Sequence, residues 1–541
     1  MGALTLKSFP FELRGWDIEK FESIDPTDGF GSSTKVYVNK DQIVQIEPDY
    51  NSHTFNTWLT DKGRQFFDGI FGTWSLKRQN INRDLEKGSW THIIKNIIKT
   101  IYLFDYCNNQ KFKKHFFTII FENLSNEVVS LLIIISHNYS FIRLRRAENF
   151  KTQNDLESNF QLNLAVNNIK LDTSTLCLLI STNPRYEGYY LNLNLRQRFL
   201  KGNFKCISLG SIIDLTFPIS FLGSNTKILK TIIEGNNLIC QDLKFSKNPL
   251  LIFNNELLKR NDGKNITEML KILNHSSIFN KSWNGLNNLV PSLTEVGTLS
   301  ADRFLPLNAQ DLTNFSSLYF LNIGINNKIN LNKLTELKLL NYFNSFNKNT
   351  NINKLFLDQN SNYNKNLTLY NKISFNNEKI NNYYYYLPNS MFYENEETFI
   401  NTEGLIKKTT KLIFKKQTKN NWHILRKIFK QLKINLNNLN NKENQLIFFN
   451  LNKVNNFKNF IHFQYFATQS LNNLNFYLNI KTRSFIFNKI KFKPRRSKLI
   501  NTKLKYWLDD FFSGSKDEYS QNSLILANCS KILRTESTNF F

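Results

Sequence analysis

The feature that most narrows the fold is a series of short apolar runs, each closed by a polar turn and followed by a segment with helical spacing. Leu178-Leu179-Ile180 stops at Ser181-Thr182-Asn183-Pro184, and "NLNLRQRFLKG" then reads as a helix ending at Gly202. "FKCISLGS" reads as a second strand, and "GSNTKILKTIIEG" as a helix that starts on a Ser/Asn cap and stops at Gly235. "NPLLIFNNELLKRNDGKNITEMLKIL" continues with strand, polar loop and helix. Upstream, "WTHIIKNIIKTIYLF" has helical spacing and "EVVSLLIIIS" reads as a buried strand. Strands alternating with helices predict an α/β fold with a parallel, doubly wound sheet.

The first 70 residues differ. "TKVYVNKDQIVQIEP" holds two short alternating runs, Lys35 to Val38 and Gln42 to Ile46, joined by Asn39-Lys40-Asp41. This predicts a small β-rich unit, closed by a helix carrying Asp61, Lys62 and Arg64. Order returns late in the chain with "LPNSMFYENEETFINTEG" and with "NNWHILRKIFKQL", an amphipathic helix. Between about 326 and 386 the chain is Asn-, Lys- and Tyr-heavy. Its tyrosines suit stacking on single-stranded bases, or the stretch is a drifted surface loop with elements hidden in it.

Ligands of open α/β sheets bind beyond the carboxyl ends of the strands, so the turn "STNPRYEG" is the first place to look for a site. Pro184 removes an N–H and biases Asn183 away from helical geometry, which ends the strand. Asn183 can bond its own backbone two residues on. Arg185 and Glu187 are then free to clamp a ligand, or to pair with each other or with neighbouring chain ends; the residues alone leave both readings open. Familiar chemistry is absent. No GxGxxG or GxxxxGK[ST] offers backbone amides to a phosphate, and no GxSxG elbow appears. The seven histidines have no HxxxH or HExxH spacing, and the five cysteines (Cys107, Cys177, Cys206, Cys240, Cys529) include no CxxC. The acidic group Glu394, Glu396 and Glu397 reads as a solvated turn.

A formal net charge of +27 fits a nucleic-acid partner, in practice a basic mitochondrial ribosomal RNA-binding protein. It fits compositional drift equally simply: 48 Phe and 21 Tyr stand against 19 Gly and 10 Pro, the signature of an AT-rich, organelle-type genome. The opening apolar residues are interrupted at Lys7, so no secretory leader is expected. The run Leu131 to Ile135 is too short to span a bilayer.

Several segments together resemble one family, the large peripheral-arm subunit of respiratory complex I (NADH:ubiquinone oxidoreductase), of the bacterial G-subunit type. They are "ELRGWDIEKFESIDPTDGFGSS", "WLTDKGRQFFDGI", "LLISTNPRYEG", "LNLRQRF", "ISLGSIIDLTF", "LGSNTKIL", "LLKRNDGKNI", "NTEG" and "YSQNSLILANCSKIL", in the family's order. The motif positions are Asn183, Pro184, Arg185 and Glu187; Asp214; Arg260, Asn261, Asp262 and Gly263; and Asn401, Thr402, Glu403 and Gly404. Leu405 stands where the family has Arg. "GAL" after Met1 is similar to the family's sequence just past its last cluster cysteine, which implies the second half of a split subunit. The resemblance implies a molybdopterin-oxidoreductase-like (formate dehydrogenase-like) α/β fold of several lobes. Its expected layout is a lead-in at 1–11, a small β-rich domain at 12–70, α/β lobes at 71–400 and a C-terminal segment at 401–541. It further implies a structural subunit with no catalytic residue and no cofactor of its own, iron–sulfur clusters being expected on a separate partner half. The partners expected are that half and other peripheral-arm subunits, on the matrix face of the mitochondrial inner membrane, with no nucleic acid and no transmembrane segment. An active molybdoenzyme is the other reading of the same fold.

Overall fold

The computed structural model describes residues 13–50, 58–71, 117–121, 124–138, 142–146, 171–254, 262–274, 285–299, 305–306, 317–322, 352–357, 383–413, 419–431 and 523–538, with single positions between them (Phe9, Ile94, Leu257, Arg260, Trp283, Phe512, Tyr519 and Ser520). The N-terminal unit is an antiparallel three-stranded sheet, β1 (Glu19–Ile24), β2 (Ser33–Asn39) and β3 (Gln42–Pro48), in that order. The β2–β3 hairpin turns on Lys40 in the left-handed region, with Asn39 paired to Gln42. Strand β2 alternates buried and half-buried residues, as a one-sided sheet requires. Its inner face, Val36 and Val38, packs with Phe66, Phe67 and Ile70 from the segment after Thr60. Thr60 caps that segment's helix, Asp61–Gln65, by accepting from Gly63 N.

Strands β4 (Phe117–Phe121) and β5 (Ile142–Arg146) run parallel in a six-stranded sheet of order β11-β5-β4-β12-β13-β14. That sheet is completed by β11 (Leu305–Pro306), β12 (Ser317–Leu321), β13 (Ile352–Leu357) and β14 (Tyr383–Pro388). Thus two strands lie inside the Asn/Lys/Tyr-rich stretch. The buried strand expected at "EVVSLLIIIS" is instead the helix Asn126–Asn138. An apolar run without polar interruptions carries no period, and this helix buries Val128, Val129, Leu131, Leu132, Ile134 and Ile135 around most of its circumference. The helix expected at "WTHIIKNIIKTIYLF" lies outside the described residues except for Ile94, which is helical and buried.

The central lobe is a parallel five-stranded sheet of order β10-β9-β6-β7-β8: β6 (Leu176–Ile180), β7 (Lys205–Leu209), β8 (Ser220–Gly223), β9 (Leu250–Asn254) and β10 (Leu286–Leu289). Both faces are covered, so β6 is buried at every position. Leu178 and Ile180 face the helices Thr226–Ile233, Ile239–Phe245 and Gly263–Asn274. Cys177 and Leu179 face the helix Tyr189–Leu200, along with Phe30 of the N-terminal unit. The remaining described elements are the two-stranded sheet β15 (Thr398–Ile400) and β16 (Ile406–Lys408) and the helices Leu293–Leu299, Asn421–Gln431 and Leu524–Thr538.

Candidate functional site

Beyond the carboxyl end of β6 the chain turns through Ser181, with φ of 51°, into a one-turn helix, Pro184–Glu187. Asn183 caps it: its side-chain oxygen accepts from Arg185 N at 3.2 Å. Glu187 is buried and closes the turn from behind. One carboxylate oxygen accepts from Asn183 N at 2.8 Å, and the other from the side-chain amide of Asn254 at the end of β9. Arg185 leaves in the opposite direction and pairs with Asp214 at 2.7 Å. Asp214 also accepts from Thr216 N at 3.0 Å, and that bond together with Arg185 holds its carboxyl below the usual range. Arg185 and Glu187 therefore bind different partners, not each other.

The second motif builds a different joint. Asp262 is buried and takes both Nε and Nη2 of Arg260, at 2.9 and 3.2 Å, as a bidentate pair. Gly263 opens the helix that follows, and Asn261 lies outside the described residues.

The third motif ties three segments together. Asn401 accepts from Glu403 N and Leu405 N at 3.1 and 2.8 Å, and its amide donates to Phe30 O at 3.0 Å. Thr402 N donates to Gly29 O at 2.9 Å, while Val290 N, just past β10, donates to the Thr402 hydroxyl at 3.2 Å. Gly404, with φ of 82°, lets the chain reverse between β15 and β16. Gly29 is required by packing: a Cβ there would lie 1.9 Å from Val290 O.

Beside this joint lies a group of carboxylates drawn from two of the motif segments, Asp25 and Asp28 from one and Glu403 from the other. Asp25, Asp28 and Glu403 are buried with Lys62, and Lys407 is half-buried next to them. Asp28 accepts from Phe30 N and from the Ser32 hydroxyl, which also contacts the Tyr189 hydroxyl at 2.7 Å. Burial pushes Asp25 and Glu403 up to about 7 and raises Asp28, while it lowers Lys407. A second acidic pair sits where the helix Asn126–Asn138 meets β15. Glu127 accepts from Thr398 N and Oγ1 at 3.0 and 2.8 Å, and burial pushes Glu127 and Glu397 up to about 7 and about 8. Only the spacing "SID…D" hints at the first group, and nothing local marks Glu127 as buried. Among the described residues, no cluster of three or more His, Cys, Asp or Glu could hold a metal ion. Nor is any described helix long and apolar enough to cross a membrane.

Residues 91–431 match the family model "Molybdopterin oxidoreductase", and residues 18–68 match "NADH-ubiquinone oxidoreductase NDSU1/NuoG-like, 4Fe-4S domain". The chain is 31% identical over 315 residues to the NADH-ubiquinone oxidoreductase 75 kDa subunit of Reclinomonas americana, covering 55% of this chain and 44% of that protein. It is 27% identical over 318 residues to the mitochondrial NADH-ubiquinone oxidoreductase 78 kDa subunit of Neurospora crassa (57% and 41%). It is also 25% identical over 310 residues to the mitochondrial NADH dehydrogenase (ubiquinone) iron-sulfur protein 1 of Solanum tuberosum (55% and 40%). The chain thus spans less than half the length of these relatives.

The match at 18–68 overturns the expectation that this chain binds no cofactor, because it suggests an iron–sulfur cluster here. Thiolate ligation is the usual way to hold such a cluster, and the first cysteine of the chain is Cys107. The residues present in this segment do not fit a four-cysteine ligand set. At the carboxyl end of β6, buried Glu187 and an Arg185 already paired with Asp214 do not fit an anionic pterin phosphate either. The doubly covered parallel sheet and a match over more than half of the residues agree: the chain belongs to the molybdopterin oxidoreductase family.

Proposed function

We propose that the chain is a peripheral-arm subunit of respiratory complex I, with an architectural role in the NADH-to-quinone electron transfer that the whole assembly performs. The observation that carries this reading is the closure of the turn after β6. The side chains of Asn183, Arg185 and Glu187 are used within the fold, Asn183 by Arg185 N, Glu187 by Asn183 and Asn254, and Arg185 by Asp214, while the buried Thr182 hydroxyl has no hydrogen-bond partner. A turn whose charged groups are consumed internally serves to shape a surface. The names of the relatives support the assembly, and two of those names are mitochondrial. The chain's place is then the matrix face of the inner membrane, and its partners are other arm subunits, with an iron–sulfur chain among them.

The test is native electrophoresis of mitochondrial membranes, with the chain detected by antibody beside an in-gel NADH dehydrogenase stain. Co-migration with the stained band, and loss of that band when the chain is depleted, are expected. Migration with ribosomal particles, released by salt, would overturn the reading in favour of the RNA-binding alternative that the +27 charge allows.

A further inference from the structure

Under the N-terminal sheet, buried Ser23 Oγ and Asp25 Oδ2 have no hydrogen-bond partner, and beside them Thr34 Oγ1 meets the Tyr393 hydroxyl. All four residues are at most 5% exposed. The sequence explains the convergence. Ser23 and Thr34 are register partners across β1 and β2, so their side chains share a face. Asp25 follows Ser23 by two residues and falls on the same side. Tyr393, from the turn Phe392–Glu394, closes the space from above, its hydroxyl facing Thr34 and Asp25. Gly63 closes it from the side, where a Cβ would lie 2.2 Å from Asp25 Oδ2.

The two oxygens of Asp25 are unequal. Oδ1 accepts from Thr27 N and Oγ1 at 2.8 and 2.7 Å, whereas Oδ2 receives nothing. A buried carboxylate with one bare oxygen is costly, and the neutral acid avoids that cost. We propose that Ser23, Asp25, Thr34 and Tyr393 enclose a proton-binding site, with the proton on Asp25 Oδ2, and that this site latches the N-terminal sheet to the turn Phe392–Glu394. The Tyr393 hydroxyl, which faces Asp25, is available as an acceptor for the acid O–H. The charged and titratable groups facing Asp25 are Asp28 in its own turn, Lys62 on the adjoining helix, Tyr189 on the helix Tyr189–Leu200, and Tyr393. Glu403 and Lys407 face Asp28. Burial is the largest influence, Asp28 adds to it, and Lys62 opposes it least, so Asp25 keeps its proton up to about pH 7.

The direction of the pH effect follows. The closed latch holds a proton that the opened segment releases in the ordinary carboxylate range. Closure is therefore favoured most in mild acid and weakens as pH rises, levelling near pH 7. Hydrogen exchange of the full chain, corrected for intrinsic rates, reads this at the amides of 23–34 and 391–395. From pH 5 to 7 protection should fall by about tenfold per pH unit for each proton released. Asp25→Asn, which mimics the neutral acid, should lower that dependence by one proton, and an unchanged dependence in this variant would overturn the proposal. A chain carrying ¹³C-labelled aspartate provides a reading without substitution. Its infrared spectrum should show a protonated carboxyl band near neutral pH that disappears in base, and absence of the band would equally overturn the site.

Discussion

Replacing Glu187 with Ala is the sharpest test of what holds the turn after β6. The side chain is 5% exposed, and Asn183 and Asn254, which donate to it, are 6% and 0% exposed. Each hydrogen bond to a carboxylate contributes about 1.5–3 kcal/mol, and an unmet buried donor costs about 1–3 kcal/mol. Truncation strands Asn183 N and the Asn254 amide together, so the expected loss is roughly 3–5 kcal/mol, as for breaking other buried charged contacts. Glu187→Gln keeps a carbonyl acceptor for one of the two donors and should lose about half as much. Exchange protection of the β6 amides and of residues 183–188 in the full chain is the appropriate assay, since a chain with several sheets need not unfold in one step. If both variants stay within about 0.5 kcal/mol of the parent, the carboxylate does not organise the turn, and the architectural reading loses its main support.

Leu178→Ala, at a fully buried position between β6 and the helices on one face of the sheet, should cost about 2–5 kcal/mol, measurable as a lower denaturant midpoint of the central lobe. Arg185→Ala should leave that midpoint nearly unchanged, because both Arg185 and Asp214 are solvent-exposed; a large shift would show that the pair does more than decorate the turn. Glu127 holds its proton in the folded chain up to about pH 7, while the unfolded chain releases it in the ordinary carboxylate range. Stability should therefore decline by roughly 3 kcal/mol as pH rises across that window, and Glu127→Gln should flatten the decline in a pH series of unfolding curves.

The central sheet is legible in the sequence because its signals are local. The apolar runs at β6, β7 and β9 are short, end in polar residues, and alternate with segments stopped by Gly202 and Gly235, both of which take positive φ. The run at 128–135 reads as a strand for the same reason that makes the helix stable: a helix apolar all round has no stripe for periodicity to detect. Strands β4, β5 and β12 escape a local reading, because no Gly or Pro lies within two residues of either end to mark them off. The motif residues are legible as positions and illegible as contacts. Nothing in "TNPRYEG" says that Arg185 leaves for Asp214 while Glu187 turns back to Asn254. The carboxylates Asp25, Asp28 and Glu127 are not legible as buried groups, since an acidic residue is ordinarily read as solvated.

The asparagines show where compositional drift stops being a sufficient account. Drift adds Asn at exposed positions, where an extra amide meets water and changes little. Asn183, Asn254, Asn401 and Asn421 are instead at most 6% exposed, and a buried amide costs least when its polar atoms are met. Each of them has such a partner. Asn183 caps a helix, Asn254 donates to Glu187, and Asn421 donates to Asn322. Asn401 both accepts from its own turn and donates across to Phe30 of the N-terminal unit. A random enrichment would not match donor to acceptor at four separate joints. Two asparagine populations therefore share one chain, a surface set that raises the count and a buried set that holds strand ends and turns. These four carry information about the fold, lying at the carboxyl ends of β6 and β9, at the turn between β15 and β16, and at the start of the helix Asn421–Gln431.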